Sequence, residues 1–142
     1  MERAIILYAP DEDKLKNASE RIQRTLVNEK YEVEVKAAKN SSIVDITASD
    51  IVIVGFNDAK SRVHPDFKAI DKALTGINLA GRVAGFFTFD TADAMVHFRK
   101  SFHDSDIIIF ETPLILGPGD DGAKGILNWV HKLLAGALKK HL

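Results

Sequence analysis

The sequence predicts an α/β domain, a three-layer sandwich with five parallel strands in its middle layer. Three observations carry that prediction. Apolar runs of strand length alternate along the chain with stretches of helical period, the pattern of repeated strand–helix–strand units. Four of the five runs are nearly continuous in Ile, Val, Leu and Phe, as strands buried on both faces are. The chain has 142 residues, enough for one domain with a full core.

The runs lie at residues 4–8 (AIILY), 31–35 (YEVEV), 51–56 (IVIVGF), 83–89 (VAGFFTF) and 107–110 (IIIF). Only the second alternates strictly between polar and apolar, which suits an edge strand with one wet face. Helical stripes fill the gaps. Leu15, Ala18, Ile22 and Leu26 share one face, as do Phe67, Ile70, Leu74 and Ile77. Met95, Phe98 and Phe102 make a third stripe, and Ile126, Val130, Leu133 and Ala137 a fourth. Residues 41–48 form a short helical segment, and Gly76 and Gly81 punctuate the exit of the helix before the fourth strand. Right-handed crossovers then place helices on both faces of a sheet of order 2-1-3-4-5. A single domain over residues 1–142 is expected, with no repeat or linker.

Composition narrows the function classes. Formal net charge is -1, with 19 basic and 20 acidic side chains, so no basic excess drives binding to nucleic acid or anionic lipid. There is no cysteine, which removes disulfides, thiolate nucleophiles and iron–sulfur ligation. The first ten residues lack a long apolar region and a small-residue cleavage site, so no signal peptide is expected. No apolar stretch reaches the roughly 20 residues that span a bilayer. A cytoplasmic protein is the expectation.

Several motifs give the chain a resemblance to the flavodoxins. Asp50-Ile51-Val52-Ile53-Val54-Gly55-Phe56, followed by Pro65-Asp66-Phe67, resembles their third strand, flavin-side loop and Pro-x-Phe helix start. Leu79-Ala80-Gly81-Arg82-Val83 is similar to their Leu-x-Gly-Lys entry into strand four, and residues 127–133 (LNWVHKL) to their closing helix. The resemblance covers essentially the whole chain. It implies an FMN-linked electron-transfer role with a redox partner protein, without membrane or nucleic acid. By position, it implies that Tyr8, Pro10, Asn57, Asp58, His64, Thr88, Phe89 and Asp90 contact the cofactor.

The chain departs from the flavodoxin pattern where FMN phosphate would sit. Flavodoxins carry a Thr-x-Thr-Gly-x-Thr-like loop after strand one, whereas residues 9–14 read APDEDK. Asp11, Glu12 and Asp13 repel a phosphate, and Pro10 has no N–H to offer one. No Tyr or Trp follows strand three before His64, and Phe89 is the one aromatic beyond strand four. An alternative expectation follows: a non-catalytic flavodoxin-fold domain that has lost the cofactor and acts through protein contacts.

Ligands of open α/β sheets bind beyond the carboxyl ends of the strands. That edge collects Asp11, Asp13, Asp58, Asp90, Asp93 and Glu111, which suggests a third reading, a receiver-like Mg²⁺ site. Against it, Gly55-Phe56 stands where a receiver has its acceptor Asp, and Glu111-Thr112-Pro113 where it has its Lys. The plainer expectation is that Asp11 caps the first helix, Asp90 or Asp93 the fourth, and Asp58 sits in a turn. Phe89 is either core or a platform for a planar ligand, and Tyr8 either reaches the crevice or is half-buried with its hydroxyl in water. Trp129 is expected to pack on the sheet. His64, with Lys60 and Arg62, forms a basic cluster that suits an anion. The five histidines show no metal-ligand spacing, since His97 and His103 are six apart. Residues 117–122 (GPGDDG) read as a turn, because their two acids and lack of Gly-Lys-Ser/Thr do not fit a phosphate loop.

Overall fold

The computed structural model describes residues 2–57, 64–89, 96–117 and 123–141. Strands β1 (Arg3–Ala9), β2 (Glu32–Ala37), β3 (Ile51–Phe56), β4 (Val83–Thr88), β5 (Ile108–Ile109) and β6 (Leu114–Ile115) form one sheet. Helices α1 (Asp13–Asn28), α2 (Ile43–Thr47), α3 (Lys68–Leu74), α4 (Val96–His103) and α5 (Ala123–His141) connect and cover them. The strand order is β2-β1-β3-β4-β5, every pairing is parallel, and β2 lies at the edge as its alternation requires. Among the described residues no helix is long and apolar enough to cross a membrane.

The period-two rule sorts the sheet into two cores. Ala4, Ile6, Tyr8, Ile51, Ile53, Val83 and Phe87 face α1 and α5, meeting Leu15, Ile22, Leu26, Trp129, Val130 and Leu133. Ile5, Leu7, Val52, Val54, Phe56, Ala84 and Phe86 face the other side, where Ile46, Ile70, Leu74 and Phe102 cover them. The four residues of the α1 stripe are all buried, as are Ile126, Val130 and Leu133 of α5. Met95 of the α4 stripe lies outside the described residues. Two glycines on the α1/α5 face make room for large neighbours. Phe87 lies across Gly55, and Trp129 and Leu133 lie across Gly85.

The fifth position of the sheet differs from the single run expected at residues 107–110. It is split into β5 and β6, both paired with β4, through Val83↔Ile108 and Ala84↔Ile109 and then Phe87↔Leu114 and Thr88↔Ile115. Pro113 cannot donate to the ladder, so the strand breaks at residues 111–113. Trp129 Nε1 donates to the Thr112 carbonyl at 2.8 Å, which satisfies a backbone group left over at the break. At the entry to β4, Gly81 adopts φ +88°, a conformation suited to glycine. Arg82 then donates from Nε to Ser49 O (3.1 Å) and from Nη2 to Thr47 O (3.0 Å), tying down the C-terminal end of α2.

Candidate ligand edge of the sheet

The carboxyl ends of β1, β3 and β4 bring the β1–α1 turn beside Asn57 and Phe89. In-register rows set this geometry: Tyr8 pairs with Gly55 and Gly55 with Phe87, and in the next row Ala9 pairs with Phe56 and Phe56 with Thr88. Because β2 flanks β1, its exit through the 3-10 turn Ala38–Asn40 also reaches this edge.

The turn is held by the protein's own side chains. Asp11 Oδ2 lies 2.8 Å from Lys39 Nζ, and the Tyr8 hydroxyl is 3.5 Å from Asp11 Oδ1. The hydrogen bond from Lys39 holds the Asp11 carboxyl below the usual carboxylate range, against an opposing effect of burial, and the same contact raises Lys39. Burial pushes the Tyr8 hydroxyl up, and the Asp11 carboxylate adds to the shift. Asn57 Nδ2 donates to Glu12 Oε1 at 2.8 Å, joining the β3 exit to the start of α1. Lys14 Nζ sits 4.3 Å from the centre of the Phe89 ring, a cation–π contact that joins α1 to the β4 exit.

Two expectations are corrected here. Asp11 does not cap α1: the N-cap is Glu12, without a side-chain cap hydrogen bond, and Asp11 is drawn instead to Lys39. Tyr8 is not half-buried with its hydroxyl in water. It is 5% exposed in the α1/α5 core with the hydroxyl turned toward Asp11. Thr88 is fully buried, and Phe89 is half-buried and packed against the α1/α5 core. His64 Nδ1 accepts the Asp66 N–H at 3.1 Å. Trp129 packs on the sheet, within reach of the Phe110 ring. Asp58, Lys60, Arg62, Asp90, Asp93 and residues 118–122 lie outside the described residues.

The receiver-like reading meets a steric obstacle at β3. A Cβ on Gly55 would stand 2.0 Å from Phe87 Cζ, so any side chain there requires the buried ring to shift, and the next residue, Phe56, is buried. Glu111 pairs with Arg99, and among the described residues no three acidic or imidazole groups are placed to hold a metal ion.

Sequence reasoning missed Lys39 and Lys14 as members of this edge. The signal for Lys39 was present, since the order 2-1-3-4-5 places the exit of the second strand beside the turn after the first.

In comparisons with solved structures, a short-chain flavodoxin associated with a bacterial microcompartment matches with a TM-score of 0.82 at 16% identity, over 96% of this chain and 99% of that one. The fold is that of the flavodoxins. Fusobacterium nucleatum flavodoxin bound to flavin mononucleotide gives 0.78 at 14% identity, over 96% of this chain and 99% of that one. Rubredoxin oxygen:oxidoreductase from Desulfovibrio gigas gives 0.81 at 12% identity, over 99% of this chain but 37% of its own. No protein-family model and no curated protein matches the sequence. At these identities the likeness is one of backbone, and the site has to be judged on its own side chains.

Judged so, the β1–α1 turn does not fit the phosphate of FMN. Pro10 has no N–H, and the Glu12 N–H is taken by the Pro10 carbonyl at 2.9 Å. Three successive carboxylates line the turn, and of the cations near it among the described residues, Lys39 is engaged by Asp11 and Lys14 lies over the Phe89 ring.

Proposed function

We propose that this chain is a flavodoxin-fold domain that acts through protein contacts and does not hold FMN by its β1–α1 turn. The observation that carries this reading is the set of bridges Asp11–Lys39, Asn57–Glu12 and Lys14–Phe89, which occupy the ligand edge with the protein's own groups. The test is the visible absorbance of the purified protein, followed by titration of FMN fluorescence. A colourless protein with FMN affinity no tighter than about micromolar is expected. A yellow protein, or nanomolar binding, overturns the reading.

A second reading is favoured by Phe89. Its half-buried ring at the end of β4 carries a side-chain cation on its face, a position that a planar ligand can take over. Here FMN lies along the edge at Tyr8, Pro10, Asn57, His64, Thr88 and Phe89, with Asp58 and Asp90 next to that edge in sequence, and its phosphate lies away from the turn. Bound there, FMN supplies one- or two-electron chemistry toward a redox partner protein. Weak FMN binding that Phe89→Ala abolishes and Asp11→Asn leaves unchanged supports this second reading.

A further inference from the structure

We propose that His64 is a two-position proton switch at the entrance to α3, exchanging a backbone cap for an ion pair. Pro65 opens the 3-10 turn Pro65–Phe67 that leads into α3 and has no N–H, so the first backbone donor there belongs to Asp66. His64 Nδ1 accepts that N–H at 3.1 Å, which requires a neutral imidazole with its proton on Nε2. The Asp66 carboxylate waits 3.7 Å from the same nitrogen. A solvent proton taken up at Nδ1 turns the acceptor into a donor. The cap is then lost, and the imidazolium gains Asp66 Oδ2.

The two bonds use one nitrogen and exclude each other. Among the described residues, Asp66 shares the turn with His64, Lys39 lies on the 3-10 turn packed against it, and α3, which follows, carries Lys68, Asp71 and Lys72. Lys39 feels the Asp66 carboxylate and holds Asp11 of the β1–α1 turn. Drawing Asp66 onto His64 therefore also changes the charge surrounding the ligand edge.

The test is NMR on the full chain between pH 8 and pH 5. The His64 ring signals and the Asp66 amide signal are expected to share one midpoint, with Asp66 amide protection about fivefold lower on the acid side. His64→Asn keeps a side-chain acceptor that does not titrate, and its Asp66 amide protection should stay constant within about twofold. Asp66→Asn keeps the backbone donor but removes the acid-side partner, so the transition should move to lower pH. An Asp66 amide indifferent to His64 titration, a wild-type response that persists in His64→Asn, or a transition unmoved in Asp66→Asn overturns the proposal.

Discussion

Gly55→Ala tests the packing that defines this sheet. The added Cβ would lie 2.0 Å from Phe87 Cζ and 2.5 Å from Cε1 and Cε2. Carbon atoms rest at about 3.5–4.0 Å, so the ring must retreat by about 1.5 Å. It has nowhere to go. Phe87 is fully buried in the α1/α5 core, and its backbone is fixed by the register Gly55↔Phe87 and Phe87↔Leu114. Overpacking of a closed core costs about 1–3 kcal/mol, and this clash against a pinned ring belongs at the upper end. For a chain of this size, about 3 kcal/mol lowers Tm by about 6–12 °C. Urea unfolding followed by circular dichroism measures the loss. In Phe87→Leu the smaller side chain relieves the clash, so Gly55→Ala should cost at least about 1 kcal/mol less in that background. A Gly55→Ala loss below about 0.5 kcal/mol, or additive effects in the double variant, refutes the reasoning and reopens the end of β3 to a side chain.

Three further outcomes are expected. Trp129→Phe keeps an aromatic beside Phe110 but removes the donor to the Thr112 carbonyl and leaves part of a buried indole's space unfilled, and should cost about 1–3 kcal/mol in urea unfolding read by circular dichroism. Burial works to raise Asp45, but the Lys36 ammonium at 2.9 Å and the Ser42 N–H outweigh it and hold the carboxyl below its ordinary value. Its contribution is therefore present above the ordinary carboxylate range and is lost as pH falls through the native value, so Asp45→Asn should flatten the acid limb of a stability profile. The Tyr31 hydroxyl is pushed up to about 12, first by burial and then by the neighbouring Glu2 carboxylate. Its contribution is full below pH ~10 and is lost as pH rises toward the native value, so tyrosinate absorbance should appear late and Tyr31→Phe should remove that alkaline loss.

The sheet was legible in the sequence because two buried faces leave little freedom. Continuous Ile and Val at β1 and β3 and strict alternation at β2 allow few arrangements, and the strand order followed. The break at residues 111–113 was not legible. The run at residues 107–110 ends in an acid, a Thr and a Pro, which reads locally as a loop. Only the β4 ladder and the Trp129 indole bring Leu114 and Ile115 back into the sheet. At the carboxyl edge of the sheet, the partners of the turn's side chains were not legible. Asp11 stands where an N-cap residue commonly sits, and local preference favours that role. A lysine 28 positions later, brought alongside by the β1–β2 pairing, takes the carboxylate instead.

The difference between sheet and edge has a physical basis. Gly55, Gly85 and the residues opposite them are coupled through close contacts, so a change at one of these positions is felt by Phe87, Trp129 or Leu133. In the turn at residues 9–14, beyond the buried Ala9, the side chains of residues 10–14 lie at or near the surface. Its side chains meet Lys39, Asn57 and Phe89 at a surface where charges are exchangeable at small cost to the core. The strand order and both cores therefore coexist with a turn whose acids meet the protein's own groups. The backbone likeness rests on the sheet and its two cores, and the chemistry of the edge is read from this chain's own side chains.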